Sequence, residues 1–260
     1  MPPRTVGEQR TPPRKVGEQL AFALRCAAML VLITAGALWM LLVACLTGFA
    51  LRRFYSERIL APIGHLALRL WGIRVRKHQA APFPAGQAVY IANHTSTLDM
   101  FVLIALGMPN TRFFLSGFLR KLLPFGVIGY LTGIFWTMPQ TLPERRRRLF
   151  AGAAETLRRS GESVFLSPEG MRVTSGQIGH FNKGAFHLAA SLSAPIVPMF
   201  FLIPADVDPG LGLHVRPGVI DVHVGAAIPT ADWRLADLAD HIASVRATFV
   251  QWNTDLRGTA

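Results

Sequence analysis

The longest run of apolar residues lies near the amino terminus, where none of the 26 positions from Cys26 to Leu51 is charged. A helix of that length extends about 39 Å, more than the roughly 30 Å hydrocarbon core of a bilayer. The pattern predicts a membrane anchor helix over residues 21–53, which either spans the bilayer or dips into it. A cleaved signal peptide is the alternative, because Leu42–Cys45 (L-V-A-C) matches a lipoprotein-type cleavage sequence. Its apolar region would however be longer than the usual 7 to about 15 residues.

Polar and helix-patterned segments lie on either side of this run. Residues 2–9 and 12–19 form a polar near-repeat with paired prolines, and we expect residues 1–20 to be a disordered tail. From Arg52 to Arg69 apolar residues recur at helical spacing among basic ones, which predicts an amphipathic helix. We interpret residues 54–78 as an interfacial amphipathic segment followed by the first strand, with a helix packed on the domain core as the alternative.

The remainder, residues 79–260, alternates short apolar runs with helix-patterned segments, as α/β domains do. The runs rich in β-branched and aromatic residues predict strands at Trp71–Lys77, Val89–Ala92, Thr111–Ser116, Ser163–Ser167 and Val219–Val224.

The stretch from Leu122 to Met138 has no charge but is interrupted by Pro124 and three glycines. Glycine and proline at this density make a second membrane span unfavourable, because backbone groups would stay unpaired in lipid. We expect either buried core or, alternatively, the lining of a channel for an acyl chain.

A Thr-x-x-Glu pattern at Thr141–Glu144 predicts the start of a helix that runs to Ser160 before Gly161. Four arginines, Arg145–Arg148, occupy its first turns, where the helix dipole disfavours positive charge. They form either a solvated face or a contact with lipid phosphates.

Charge and composition narrow the class of partner. The net charge is +12, and the chain carries 27 basic residues against 15 acidic ones. Together with the apolar run, this balance favours anionic headgroups and anionic substrates at a cytoplasmic membrane surface. We expect no nucleic-acid partner, because the chain has no aromatic-interleaved basic strand, zinc spacing or recognition helix. Both cysteines, Cys26 and Cys45, lie in the apolar run, so neither a disulfide framework nor a metal site is expected.

The strongest candidate chemistry follows the Val89–Ala92 run, in the sequence Asn93-His94-Thr95-Ser96-Thr97-Leu98-Asp99. With Ser96 as helix N-cap, Asp99 occupies the third helical position and points back along the chain towards His94. A histidine ordinarily titrates near pH ~6.5, so a neutral imidazole held by a carboxylate is suited to general base catalysis. The alternative is a surface histidine beside a capping-box aspartate.

A second candidate site follows the Ser163–Ser167 run. Pro168 ends the strand, Gly170 permits a turn, and Arg172 is suited to grip a phosphate with two hydrogen bonds. Glu169 would need a cationic or hydroxyl partner nearby. The alternative is a surface Glu-Arg pair on a turn.

Taken together, these motifs resemble those of the glycerolipid acyltransferases, the PlsC-like family that includes lysophosphatidic acid acyltransferase. His94 and Asp99 match the H-x4-D signature, and Ser167–Arg172 (S-P-E-G-M-R) is similar to F-P-E-G-T-R. Ala194–Pro198 is similar to a later I-V-P strand, and Phe181–Gly184 (F-N-K-G) to F-K-K-G with the first lysine lost. The likeness covers roughly residues 85–229.

The resemblance implies an α/β fold with a mixed central β-sheet flanked by helices, behind an N-terminal membrane-anchoring helix. It implies transfer of a fatty acyl group from acyl-CoA or acyl-carrier protein to the hydroxyl of a lysophospholipid such as 1-acyl-sn-glycerol-3-phosphate. In that reading His94 and Asp99 are catalytic, Glu169, Gly170, Arg172 and Lys183 bind substrate, and neither cofactor nor metal is needed.

Three alternatives stay open. They are a tafazzin-like transacylase with a phospholipid donor, an acyltransferase for a lysolipid without phosphate, and an inactive lipid-binding scaffold. A serine hydrolase built from His94, Ser96 and Asp99 is disfavoured, because three residues so close at a helix start cannot easily align as a relay.

The sequence also departs from the family pattern. Methionine stands at position 138, where the family's G-x-I-F-x-x-R-like strand carries an arginine that helps hold the acceptor phosphate. A family lysine near Ser116 or Gly117 is absent as well, so Arg172 is the chief expected clamp. Arg120, Lys121, Lys183 or the Arg145–Arg148 run are the expected substitutes.

Overall fold

The structure is a computed structural model that describes residues 16–79, 81–139, 141–208, 210 and 215–258. Its centre is a seven-stranded sheet in the order β1-β7-β6-β2-β5-β3-β4. All neighbouring strands are parallel except β6 and β7, so the predicted mixed sheet is confirmed. The strands are β1 (Ile73–Gln79), β2 (Val89–Ala92), β3 (Thr111–Ser116), β4 (Phe135–Thr137), β5 (Ser163–Leu166), β6 (Ile196–Leu202) and β7 (Gly218–Val224).

Helices cover both faces of this sheet, as expected when strands such as β2 and β5 are buried along their whole length. The helices are α1 (Val16–Leu46), α2 (Arg52–Phe54), α3 (Ala61–Leu70), α4 (Asp99–Ala105), α5 (Leu123–Thr132), α6 (Pro143–Ser160), α7 (Gly184–Leu192) and α8 (Leu238–Arg257). A π-helical segment, Tyr55–Leu60, joins α2 to α3. Clusters of buried side chains fill the space between helices and sheet on each face.

The strand predictions are confirmed, because each predicted strand is present with its ends within two residues of the expected position. The Leu122–Met138 stretch forms α5 and β4, and Gly133 ends α5 in the left-handed conformation with φ of 71°. The helix predicted at Thr141 begins instead at Pro143. Its N-cap is Leu142 and carries no side-chain cap, so the predicted Thr141 cap is wrong.

The boundaries of the amino-terminal segments need correction. Residues 16–20 belong to α1 rather than to the predicted tail, whereas residues 1–15 lie outside the described residues. The anchor helix ends at Leu46 and not at residue 53. Gly48 and Phe49 both have positive φ, 60° and 63°, which is incompatible with a continuing helix.

The long apolar helix is packed along the domain on one side. Its buried residues Ile33, Ala37, Met40 and Ala44 share a core cluster with the π-helical segment and α5. Nearer its amino terminus the ring of Phe22 packs edge-on against Trp71, with ring centroids 5.7 Å apart. The side chains on its outer side are exposed, among them Leu38, Trp39 and Leu42.

The segment interpreted as interfacial is packed in the same layer. Tyr55, Ile59, Leu60 and Leu68 are all buried, so one side of the segment packs on the domain, as the core-packed alternative expected. The physical reason is that α1 and α4 both pack against α3, and they cover the apolar side that would otherwise require lipid. The interfacial position stays a prediction.

Candidate active site

The candidate residues meet at one edge of the sheet. Strands β2, β3, β4, β5 and β6 are parallel, so their carboxyl ends lie together, and we call this side the carboxyl edge. The loop after β2 carries His94, and the loop after β5 carries Glu169 to Arg172. Ligands of open α/β sheets bind beyond the carboxyl ends of the strands.

His94 and Asp99 form the contact that the sequence predicts. The distance from His94 Nδ1 to Asp99 Oδ2 is 2.7 Å, and the histidine side chain is 38% exposed while the aspartate is 7% exposed. With Nδ1 donating to the carboxylate, Nε2 is the nitrogen free to accept a proton. Within the described part of the chain no hydrogen bond reaches Nε2. The imidazole is therefore held on one side and open on the other.

The carboxylate of Asp99 is itself fixed by the backbone. Asp99 Oδ2 accepts hydrogen bonds from the backbone N–H of Thr95 at 2.7 Å and of Ser96 at 3.0 Å. The backbone N–H of Leu98 donates to Ser96 Oγ at 2.8 Å, so the side chains of Ser96 and Asp99 both hold this turn. The regular helix α4 begins only at Asp99 and its N-cap is Leu98, so the predicted Ser96 N-cap, with Asp99 at the third helical position, is wrong.

Ser96 is not placed to act as a nucleophile. Its hydroxyl is buried and donates to the carboxylate of Asp208, a residue 112 positions away that no motif singles out. The other Asp208 oxygen accepts the N–H of Gly210 at 2.8 Å. Gly210 in turn lies so close to the motif that a Cβ there would stand 2.9 Å from Thr95 O. These contacts fix the His94 loop from a third segment and remove the serine hydrolase alternative.

Glu169 holds the backbone on which His94 sits. It is buried, its Oε2 accepts the backbone N–H of His94 and its Oε1 accepts that of Gly179, each at 2.7 Å. Burial raises the pKa of the Glu169 carboxyl above its ordinary value, and this outweighs the lowering by the His94 and Gly179 N–H groups. The cationic or hydroxyl partner expected for Glu169 is not among its hydrogen-bond partners, because backbone amides bind both oxygens. Its substrate binding stays a prediction. Glu169 positions the backbone of His94.

Gly170 and Arg172 lie on the exposed side of the same loop. Gly170 has φ of 69°, the left-handed conformation that glycine adopts without strain. Arg172 Nη1 donates to Thr97 Oγ1 at 2.7 Å, which holds the guanidinium beside the His94 loop. In the same loop, the backbone N–H of Val173 donates to His94 O at 2.8 Å. The structure thus brings Arg172 to the histidine while leaving its side chain exposed.

Lys183 is the predicted residue that the structure does not bring to this group. It is exposed at the N-cap of α7, and among the described residues no hydrogen bond or ion pair joins it to the His94 loop. Its neighbour Asn182 is connected instead. Asn182 Nδ2 donates to the carbonyls of Pro168 at 3.0 Å and Glu169 at 2.9 Å, so the amide holds the turn.

A further missed residue is Asn93, which directly precedes the histidine. Its buried amide donates to Phe201 O at 3.0 Å and accepts the Phe201 N–H at 2.8 Å, so it ties the end of β2 to β6. A polar amide right after a fully buried strand is a signal that the sequence offered, because buried amides need partners.

An apolar cavity lies on the sheet face covered by α1, α3, α4 and α5. Met100 and Phe101, which directly follow Asp99, are among its lining residues, together with Leu119, Phe125 and Trp136. Its volume is about 30 Å³, space for about one water molecule. A longer apolar group would enter only if the lining side chains moved apart.

Comparison with known proteins gives a consistent result. The sequence profile of the family described as Acyltransferase matches residues 74–202. A 1-acyl-sn-glycerol-3-phosphate acyltransferase alpha of Bos taurus is 30% identical over 202 residues, which cover 73% of this chain and 67% of the relative. A 1-acyl-sn-glycerol-3-phosphate acyltransferase of Limnanthes douglasii is 28% identical over 230 residues, covering 85% of this chain and 78% of the relative.

Among solved structures, the 1-acyl-sn-glycerophosphate (LPA) acyltransferase PlsC from Thermotoga maritima has the same fold. The TM-score is 0.77 at 19% sequence identity, and the match covers 94% of this chain and 98% of the other.

Proposed function

Because the chain belongs to the acyltransferase family, we propose that it transfers a fatty acyl group from a thioester to the free hydroxyl of 1-acyl-sn-glycerol-3-phosphate, giving phosphatidic acid. The observation that carries the proposal is the 2.7 Å contact between His94 Nδ1 and Asp99 Oδ2, with Nε2 open at the carboxyl edge. The relatives are named for the same acceptor.

In the proposed reaction, His94 Nε2 takes the proton of the acceptor hydroxyl as that oxygen attacks the thioester carbonyl. The carbon–sulfur bond breaks, the thiolate of coenzyme A or acyl-carrier protein leaves, and the imidazolium returns the proton to it. Asp99 keeps Nδ1 as the donor and stabilises the positive imidazolium. General base catalysis of this kind typically contributes about 10²- to 10⁴-fold. A thioester is already an activated acyl donor, so the step as proposed needs protein groups alone.

We assign the acceptor phosphate to Arg172. Its guanidinium is held within hydrogen-bonding distance of Thr97, in the loop between His94 and Asp99, and its exposed side is free for an anion. Gly170 allows the chain to turn so that Arg172 reaches this position. Met138, just beyond β4, supplies no cation, so Arg172 is the principal clamp in this proposal.

The apolar cavity beside Met100 and Phe101 is the proposed location for an acyl chain, since an apolar lining directly after Asp99 fits the hydrocarbon part of either substrate. The glycine-spaced α5 supplies part of that lining through Phe125 and Ile128.

For the membrane, we propose that α1 lies along the surface layer with its outer side in lipid. One side of the helix packs on the domain at Ile33, Ala37, Met40 and Ala44, so lipid cannot surround it as it surrounds an isolated span. The exposed leucines and Trp39 on the other side suit the acyl region. We place the catalytic domain on the cytoplasmic face of the cell membrane, where thioester donors are made.

The experiment that tests the reaction is product analysis with purified protein. Mass spectrometry would identify the products formed from mixed lysolipids in three reactions, which contain acyl-CoA, acyl-carrier protein carrying an acyl group, or no thioester. We expect phosphatidic acid in the thioester reactions alone. Product formed from phospholipid without a thioester would indicate a transacylase, and no product under any condition would indicate a lipid-binding scaffold.

A sharper prediction concerns the acceptor. Arg172→Ala is expected to lower kcat/KM for lysophosphatidic acid about 10- to 100-fold with the donor KM little changed, because a charged hydrogen bond contributes about 1.5 to 3 kcal/mol. Arg234→Ala, an exposed arginine before α8, is the matched control and should have no effect. If the wild-type enzyme used an uncharged monoacylglycerol equally well, the assigned phosphate recognition would be wrong.

A further inference from the structure

The turn between β3 and α5, Phe118–Leu123, exposes a pair of basic side chains flanked by apolar ones. Phe118, Leu122 and Leu123 are 65%, 41% and 80% exposed, and Arg120 and Lys121 between them are exposed as well. Leucine and phenylalanine are normally buried, so three together at this exposure indicate a surface that is covered in the working protein.

The backbone of this turn is closely packed. The N–H of Gly117 donates to Thr137 O at 3.1 Å, and a Cβ on Gly117 would lie 2.6 Å from that oxygen. A Cβ on Gly126 of α5 would lie 2.8 Å from Arg120 O, so the turn is in close backbone contact with both β4 and α5. Leu119 points into the apolar cavity and fixes the remaining side chains outward.

The position of the turn connects it to both the cleft and the anchor. It follows the carboxyl end of β3, so it lies at the same edge of the sheet as the loop that carries His94. It leads into α5, which exposes Tyr130 at 75% and packs against α1. The exposed turn thus leads directly into a helix that packs on α1.

We propose that the Phe118–Leu123 turn enters the headgroup region of an anionic lipid surface and forms a second membrane contact besides α1. A basic pair flanked by apolar side chains suits that region, because phosphates attract Arg120 and Lys121 while the apolar neighbours reach the acyl boundary. Each basic residue near such a surface is attracted to the anionic headgroups. Arg120 and Lys121 therefore strengthen the binding of the turn and also turn its exposed side towards the lipid. The inference rests on the proposed membrane-lipid acceptor, because the contact places the cleft edge at the depth of lysolipid phosphates.

Insertion is measured with a fluorophore at residue 123 in the full-length chain. Leu123→Cys is labelled in a Cys26→Ser/Cys45→Ser background and mixed with vesicles that contain anionic lipid and nitroxide-bearing lipid. Leu235→Cys is the matched control, because Leu235 is 66% exposed. It also follows Ile228, which pairs with Ile196 at the start of β6, so it lies near the opposite edge of the sheet. We expect nitroxide quenching at residue 123 at least threefold above that at residue 235, and a smaller effect after Arg120→Gln/Lys121→Gln.

Kinetics then test the consequence for catalysis. Phe118→Asp/Leu123→Asp should lower kcat/KM at least tenfold for lysophosphatidic acid in anionic vesicles, with less than a twofold change for a short-chain, monomeric acceptor. Leu235→Asp should change neither value. Neither Phe118 nor Leu123 lines the cavity.

Each result decides the question. Equal quenching at residues 123 and 235 overturns the inference and would indicate that the turn binds a protein partner instead. An equal kinetic loss on both acceptors also overturns it, because the turn would then serve the chemical step. Quenching confined to residue 123 supports it even in a preparation that forms no phosphatidic acid, so failure of the proposed function remains distinguishable.

Discussion

His94→Ala is expected to lower kcat/KM at least 100-fold while the protein stays folded and membrane-associated. The side chain supplies the only described nitrogen at the carboxyl edge that is both held by a carboxylate and open to a proton. The loop itself is held by the His94 backbone, whose N–H donates to Glu169 and whose carbonyl accepts from Val173. Alanine keeps these bonds, so the loss should appear in kcat rather than in the melting temperature.

The matched control is His187→Ala, an exposed histidine on α7. It should leave kcat/KM within twofold of the wild-type value. A loss below tenfold for His94→Ala, at unchanged melting temperature, would remove His94 as the general base. Steady-state rates with both donors and a thermal melt of each variant are sufficient measurements.

Asp99→Asn should also lower kcat at least 100-fold, for a different reason. The asparagine oxygen can still accept from His94 Nδ1 and from the N–H groups of Thr95 and Ser96, all of which now reach Oδ2. What disappears is the negative charge that stabilises the imidazolium in the transition state. The new amide NH₂ group would take the place of Oδ1, which is buried and has no hydrogen-bond partner among the described residues. Its two N–H donors would therefore be buried without an acceptor. We therefore also expect a loss of about 1 to 3 kcal/mol in the free energy of unfolding.

The exposed Asp232→Asn is the control for the loss of one negative charge. Since Asp99 acts through His94, the double variant His94→Ala/Asp99→Asn should be no slower than His94→Ala alone. If Asp99→Asn kept more than a tenth of wild-type kcat while His94→Ala behaved as expected, the carboxylate would serve only as a helix cap.

The pair itself could be predicted because it is local. Four residues separate His94 from Asp99 across a strand-to-helix junction, and backbone geometry alone brings them together. The same is true of the strands, whose short apolar runs are bounded by glycine and proline, and of the end of α6 at Gly161. Arg172 followed from its position at a second strand end, since parallel strands place their carboxyl ends together.

The supporting contacts could not be predicted because they are distant in sequence. Glu169 accepts the His94 N–H from 75 residues away, and Asp208 contacts Ser96 from 112 residues away. A glutamate in a motif gives no sign of whether its oxygens face a substrate or buried amides. The same limit explains why Lys183 was expected at the site and Asn182 was not.

For the amino-terminal helix, the sequence by itself determined length and apolar character, because 26 uncharged positions are a local property. Only the tertiary structure decided which side meets the domain. Ile33, Ala37, Met40 and Ala44 recur at the spacing of one helix face, but so do the exposed residues opposite them. A helix that is apolar all round presents no preferred side, so the partner surfaces of the π-helical segment, α3 and α5 select the buried one.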